Sequence, residues 1–366
     1  MEFDFTPKPT KLSTALLAIL IGILVGSVLI LLSGYSPFEI YQILLNGAFG
    51  DSFKISSTIR WMTPLLFTAV AFAVAFRGGM FNIGVDGQMY MGAFAGALVG
   101  IYFTELPPLI HIPVVLVVSA IAGMLWALIP ALMRVYLGAS EIVVTLMLNY
   151  VAYLLTDYLV NYYFLAKGVS GNSLVTEEIN DSAKLPSIFN QVDYGIIIAI
   201  LILVFFYFLI KRSKLGYEIS MSGLNSNFAN YGGINVNKIR IKVMLLSGAI
   251  GGIGGSVEVM GNLYRFVSRF SPEYGFEGML ASLLGGNTPV GVFLGAFFMG
   301  ALKAGSLAIE RYSDLSRALA VIIQTIIISF ITVKYFGFKI FKNPLKRKKK
   351  PRKIIKNLEE DEDGNI

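Results

Sequence analysis

Polar side chains stand inside stretches that are otherwise fit for lipid, and their types limit the chemistry open to them. Asn82, Asp86, Gln88, Glu141, Asn149, Asp157, Glu258, Asn262, Asn287, Lys303 and Gln324 lie in or beside long apolar runs. An ionisable group in hydrocarbon is costly and defaults to a functional hypothesis. Asn82, Asp86, Gln88, Glu258 and Asn287 are the candidates for lining a solute path. Glu258 leads them: in SVEVMGN it follows a glycine-rich helix half, with no basic residue for six positions on either side. Such a carboxylate can accept hydrogen bonds from a polar solute. It can equally bond Ser or Asn of a neighbouring helix, or sit at the outer interface.

Composition closes other routes. The chain has no cysteine, which excludes disulfides, thiol catalysis and thiolate metal sites. Its one histidine, His111, stands beside Pro107, Pro108 and Pro113 and reads as the cap of a loop at a helix start. There is no G-x-x-x-x-G-K-[ST] phosphate loop and no H-E-x-x-H. No catalytic residue, metal site or bound cofactor is expected. GGIGG at 251–255 departs from G-x-G-x-x-G, lacks a βαβ setting and reads as helix packing.

The elements that must position these groups are helices. Of 366 residues 55% are apolar and only 14% charged, where a soluble domain carries about 25% charged residues. Lipid offers no water to backbone groups, so spanning segments must satisfy themselves as helices. The fold class is all-α, a polytopic membrane protein with about ten spans, near 12–33, 57–76, 84–104, 112–136, 141–164, 194–211, 242–261, 276–286, 288–306 and 316–336. The run at 12–33 is longer than a signal-peptide core of about 7–15 residues and reads as an uncleaved first helix. The eighth segment, about 17 Å of helix, is a half-helix or part of a re-entrant feature, which leaves eight or nine spans as alternatives.

Lysine and arginine bias orients the spans. Lys8 and Lys11, the loop at 211–242 and the tail at 339–366 all read as cytoplasmic, and an even number of helices satisfies all three. The domain plan is a cytoplasmic N-terminus at 1–11, a transmembrane domain at 12–338 and a charged cytoplasmic tail. The segment 166–193, richer in acids, then falls outside, as does 37–50, expected as a short surface helix. Lys339 to Lys356 holds ten Lys/Arg, followed by five acids from Glu359 to Asp363. Beside a last membrane helix such a run suits anionic lipid headgroups better than nucleic acid.

Two segments interrupt the helical pattern: FRGGMFNIGVDGQ, Phe76 to Gln88, and LLGGNTPVG, Leu283 to Gly291. Interrupted spans free backbone groups to face a cavity or a solute path. A tight interhelical turn with glycine at positive φ explains them as well. The long loop, KRSKLGYEISMSGLNSNFANYGGINVNKIRIK, has glycines at 216, 223, 232 and 233 that bracket short helices, with Ser226 as an expected N-cap. A short helix across the cytoplasmic face is what a mechanical coupling element needs.

Three stretches resemble a known family: FNIGVDGQMYMGAFAGA (81–97), KLGYEISMSGLNSNFANYGGINVNKIRIKVMLLSGAIGGIGG (214–255) and SPEYGFEGMLASLLGGNTPVGVFLGAFFMGAL (271–302). The chain resembles the membrane subunit of an ATP-binding-cassette importer, in the group serving sugars, nucleosides and branched-chain amino acids. NIGVDGQM, GASEIVVTLMLNY and the external insert are most similar to nucleoside permeases. The resemblance implies a plasma-membrane permease without its own ATPase site, passing nucleosides, with purine nucleosides first. It implies a separate ATPase holding ATP and Mg, often with both nucleotide-binding domains fused, a second and often unlike permease chain, and a substrate-binding lipoprotein. It also implies that Gly216, Glu218, Gly223, Asn225, Gly232 and Asn235 belong to the loop that docks on the ATPase. The loop departs from the family at Ser220–Met221–Ser222 and Asn227–Phe228. A simple sugar, riboflavin or a branched-chain amino acid is the alternative solute, and an ion-coupled secondary transporter the alternative class.

Overall fold

Capping side chains set where several helices begin, and they place the starts outside the apolar runs. The computed structural model describes residues 12–168 and 174–312, with Ile322 and Thr325. Its helices are α1 (Leu12–Leu32), α2 (Pro37–Phe49), α3 (Ser52–Arg77), α4 (Val85–Tyr102), α5 (Pro108–Leu137) and α6 (Glu141–Leu159). They continue as α7 (Gly195–Arg212), α8 (Lys214–Leu224), α9 (Ser226–Tyr231), α10 (Val236–Glu258), α11 (Tyr274–Leu284) and α12 (Pro289–Tyr312). Helix α3 starts five residues before the expected span because Asp51 accepts from Lys54 N at 2.9 Å. Helix α10 starts six residues early because Asn235 accepts from Lys238 N at 3.0 Å. Both α6 and α10 end in a π-turn, Val160–Phe164 and Val259–Leu263.

Six of the described helices are long and apolar enough to cross a membrane. Helices α3 and α10 form the centre, buried over most of their length, whereas α5, α6 and α7 turn most of theirs outward. Packing at the centre depends on missing side chains. A Cβ on Gly92 of α4 would come within 2.3 Å of Gly252 Cα on α10. That approach permits the backbone contact that small residues provide between membrane helices. The expected span at 316–336 lies outside the described residues.

Helix α11 is a half-helix, too short for a hydrocarbon core of about 30 Å. It lies along α3: Gly278 meets Thr68 of α3, and the turn after α11 accepts from Arg77 at the end of α3. That turn has Gly286 at φ 64° and Asn287 at φ 54°. The segment 37–50 is a helix as expected, but a packed one: α2 bends 120° from α1 and buries Ile40, Leu44 and Ala48 against the body.

The helix ends sort into two sets. At one end Gly223 touches Arg77, and Arg134 pairs with Glu141 at 3.1 Å. At the other, the described part of the insert at 174–193 folds over the helix ends through a 3-10 turn (Asp181–Ala183) and an antiparallel hairpin of β1 (Ser187–Phe189) and β2 (Val192–Asp193). His111 does not cap a loop. It is buried in the first turn of α5, 2.8 Å from Ser182 Oγ and 3.2 Å from the Val99 carbonyl. A carbonyl only accepts, so Nε2 carries the proton and Nδ1 accepts from Ser182. Nearby, a hydrogen bond from Lys184 holds the exposed Asp181 carboxyl below the usual carboxylate range.

Candidate functional site

Helix α4 and the half-helix α11 bring their N-termini together beside a cavity. Helix α4 begins at Val85, after the non-helical stretch that follows Arg77, and α11 begins at Tyr274. Asp86, in the first turn of α4, bridges them. Its Oδ1 accepts from Ser271 Oγ at 2.7 Å and from Gly275 N at 3.0 Å, and its Oδ2 accepts from the Tyr153 hydroxyl at 2.5 Å. Asp86 thus sits where the N-terminal ends of the two helices meet, which suits a carboxylate to the partial positive charge of their free amides.

The cavity beside Asp86 measures about 580 Å³. Tyr90, Tyr150, Tyr153 and Phe276 supply aromatic walls, while Asn149, Ser271, Arg269 and Glu273 supply polar groups. Asn149 is already engaged, accepting from Gly87 N at 2.8 Å and donating to the Ile83 carbonyl at 3.1 Å. Tyr90 and Tyr153 rings lie 4.6 Å apart, and Tyr90 accepts from Ser271 N at 3.2 Å. A roof of two extended pieces lies alongside. Thr176 and Phe266 exchange backbone and side-chain hydrogen bonds, Ser268 N donates to the Leu174 carbonyl, and Ser268 Oγ donates to Asp157. A cavity of this size with aromatic walls and a few placed polar groups suits a small, flat, polar solute.

The five path candidates do not converge. Asp86 alone lines the cavity. Asn82 and Gln88 lock onto each other at 3.0 and 3.2 Å, and Asn82 also donates to Ser247 Oγ at 2.8 Å. They brace the entry to α4. Asn287 sits in the turn after α11, accepting from Ser282 Oγ at 2.8 Å. Glu258 is committed elsewhere: it accepts from Arg60 at 2.5 Å and from Asn262 at 2.9 Å. Arg60 donates in turn to the Tyr274 oxygen at 3.2 Å and lies 4.2 Å over the Trp61 ring. Lys303 pairs with Glu277 at 2.6 Å and lies 5.3 Å from the same indole. Four buried or half-buried charges from α3, α10, α11 and α12 thus cancel pairwise around Trp61 and Tyr274.

The loop at 211–242 forms α8 and α9, and its six candidate residues build its shape. A Cβ on Gly223 would stand 2.1 Å from the Arg77 carbonyl, and one on Gly216 1.9 Å from that of Leu209. Both glycines therefore let α8 press against the helix body. Asn225 caps α9, accepting from Phe228 N at 3.0 Å. The expected cap, Ser226, is instead the first helical residue, because the longer Asn225 side chain already reaches the free amide. Asn235 caps α10, Gly232 ends α9, and Glu218 lies 3.9 Å from Lys214. The face these residues present outward carries Tyr217, Leu224, Phe228 and Tyr231, all exposed. Beside it a polar groove of about 610 Å³ is lined by Asn227, Asn230, Asn235 and Arg240.

Sequence reasoning missed the cavity's aromatic residues and the partners of Glu258. Tyr153 stands one helical turn after the adjacent pair Asn149 and Tyr150 on a mainly apolar helix, a signal that periodicity could have supplied. Arg60, inside the expected span at 57–76, gave no signal of its partner, which is 198 residues away.

A family model described as the permease component of the branched-chain amino acid transport system matches residues 54–332. The guanosine ABC transporter permease protein NupP of Bacillus subtilis (strain 168) is 37% identical, with 89% of this chain and 94% of that protein covered. The nucleoside ABC transporter permease protein NupB of Lactococcus lactis subsp. cremoris (strain MG1363) is 32% identical, with 90% and 92% covered. A glucose ABC transporter permease protein of Haloferax volcanii is 30% identical, with 92% of each chain covered. The matched residues take in the cavity, the ion pairs around Trp61 and the short helices α8 and α9, and the chain belongs to this family of ABC transporter permeases.

Proposed function

We propose that this protein is the permease of an ATP-driven nucleoside importer, with purine nucleosides as its first solutes. The observation that carries the reading is the cavity beside Asp86, whose tyrosine walls suit the face of a heterocycle and whose polar rim suits a sugar. Relatives named for guanosine and nucleoside transport support it.

The permease crosses the plasma membrane about ten times, with both termini in the cytoplasm. It hydrolyses nothing itself. ATP and Mg act on a separate ATPase, with fused nucleotide-binding domains, which docks on the exposed face of α8 and α9. Coupling requires that ATPase to bind inward- and outward-facing states with different affinity. It pairs with a second, unlike permease chain, and a substrate-binding lipoprotein delivers the solute from outside. The basic tail rests on anionic lipid.

The test is uptake of radiolabelled guanosine and adenosine by cells with and without the gene, with ATP depleted in a parallel arm. Loss of uptake on deletion and on depletion supports the reading. Unaltered nucleoside uptake in a deletion strain lacking other importers, with glucose uptake lost, moves the solute to sugars. Uptake that survives ATP depletion while an ion gradient is held moves the class to secondary transport.

A further inference from the structure

One carboxylate at the cavity is uncommitted, and the backbone explains why. Glu273 precedes α11 in the N-cap position, where a side chain ordinarily turns back to cap the helix. It adopts φ 65°, ψ 39°, a left-handed conformation that favours glycine. Its side chain makes no cap bond. Ser271 Oγ takes that role, accepting from Tyr274 N at 2.9 Å. Among the described residues the Glu273 carboxylate has no hydrogen bond or ion pair, and it lines the cavity. A strained, non-glycine residue whose side chain is released from its local duty points to a role for the side chain itself.

The other acids near the cavity are occupied. Asp86 accepts three hydrogen bonds, and Asp157 holds Ser268 and lies 3.6 Å from Arg269. The cavity is also graded. Tyr90 lies at its buried floor, while Glu273 stands at the exposed rim with Phe276 and Tyr150. A flat heterocycle gains most against the rings, which leaves its polyol toward the rim. Two carboxylate oxygens match two adjacent hydroxyl donors.

We propose that Glu273 accepts the vicinal 2′- and 3′-hydroxyls of a ribose, so that the permease passes ribonucleosides in preference to 2′-deoxynucleosides. This rests on the nucleoside reading above. Removing the 2′-hydroxyl leaves one carboxylate oxygen without its donor, and the selectivity comes from that loss.

The experiment uses the complete importer with its binding protein in proteoliposomes, measuring ATP-driven uptake of guanosine, 2′-deoxyguanosine and inosine. The parent is compared with Glu273→Gln and Glu273→Gly. The binding protein contributes the same factor to each preparation, so any change in the ratio between solutes belongs to the permease. Glycine suits φ 65°, which protects against misfolding as the explanation. The expected result is a fall in the guanosine to 2′-deoxyguanosine ratio of about tenfold in Glu273→Gly, the loss of roughly one hydrogen bond to a charged group, and a smaller fall in Glu273→Gln. An unchanged ratio, including equal or complete loss of both solutes, would overturn the proposal. So would a change confined to the guanosine to inosine ratio, which would assign the carboxylate to the base edge. A parent importer that carries a sugar and none of the three nucleosides removes the nucleoside reading, and this one with it.

Discussion

Two polar clusters sit in the same membrane domain and use charge in opposite ways. Around Trp61, Arg60 meets Glu258 and Lys303 meets Glu277, so every charge is answered by another side chain. Around Asp86 the polar groups open onto a cavity, and one carboxylate at the rim has no partner among the described residues. Burial alone does not separate them, since Asp86 and Glu258 are both buried. The difference lies in where the remaining lone pairs point. The first cluster ties four helices into one arrangement. The second leaves capacity for a solute.

The largest effect that can break this contrast falls on the closed cluster. Arg60→Met leaves Glu258 buried without its cation, which costs about 3–5 kcal/mol. Thermal unfolding of the purified protein in detergent should show the loss. The double change Arg60→Met with Glu258→Leu should recover most of it, because removing a whole buried pair is often neutral or stabilising. If the double variant folds well yet carries no solute, the pair belongs with the path and the contrast fails.

Asp86→Asn probes the open cluster. The amide keeps an acceptor for Ser271 and Gly275 and can donate to Tyr153, so stability should fall by less than about 1 kcal/mol. Losing the charge that organises the cavity should lower uptake about tenfold or more, equivalent to about 1.4 kcal/mol. A variant that unfolds as readily as Arg60→Met would make Asp86 another structural charge.

Gly223→Ala should touch neither cluster and still stop transport. A Cβ there meets the Arg77 carbonyl at 2.1 Å, so α8 must move away from the end of α3. The strain is of the order of 1–3 kcal/mol, as for other forced close contacts. The protein should insert and bind solute while ATP hydrolysis by the assembled importer loses its link to uptake. Normal ATP-driven uptake would remove α8 from the coupling path. A bulky basic residue at Gly223 or Glu218 should act the same way.

These three positions also show what could be read from sequence. The helices were legible because apolar runs and breaks at Gly78–Gly79 and Gly285–Gly286 record the lipid and the turns. The half-length of α11 followed from the short apolar window before Gly285. Asp86 was legible as a charge in the wrong place, and the short helices α8 and α9 from their glycines. Glu258 marked a special position, but its partner did not show, because Arg60 arrives from another helix. Gly223 stood out as a glycine that shapes the loop, but its contact did not show, because it is a carbonyl 146 residues earlier in the chain, at Arg77. The rim residue Glu273 carried no signal at all, since its φ is set by the turn before α11 and not by its type.

The smallest effect is the most specific. Tyr150 lies on the outward face of α6, mostly exposed, with its ring 6.0 Å from Tyr153 in an edge-on arrangement. Leucine there keeps apolar area and removes the aromatic face, so stability should not change measurably. An aromatic pair is worth about 0.5–1.5 kcal/mol beyond its buried area. If Tyr150 stacks on the base, Tyr150→Leu should raise the guanosine concentration for half-maximal uptake by about two- to tenfold and leave the maximal rate alone. The same change should have a smaller effect on a simple sugar, which has no aromatic base to stack, where such a sugar is carried. Equal effects on both solutes would mean that Tyr150 shapes the cavity mouth without contacting the heterocycle, and the aromatic wall would then shrink to Tyr90, Tyr153 and Phe276.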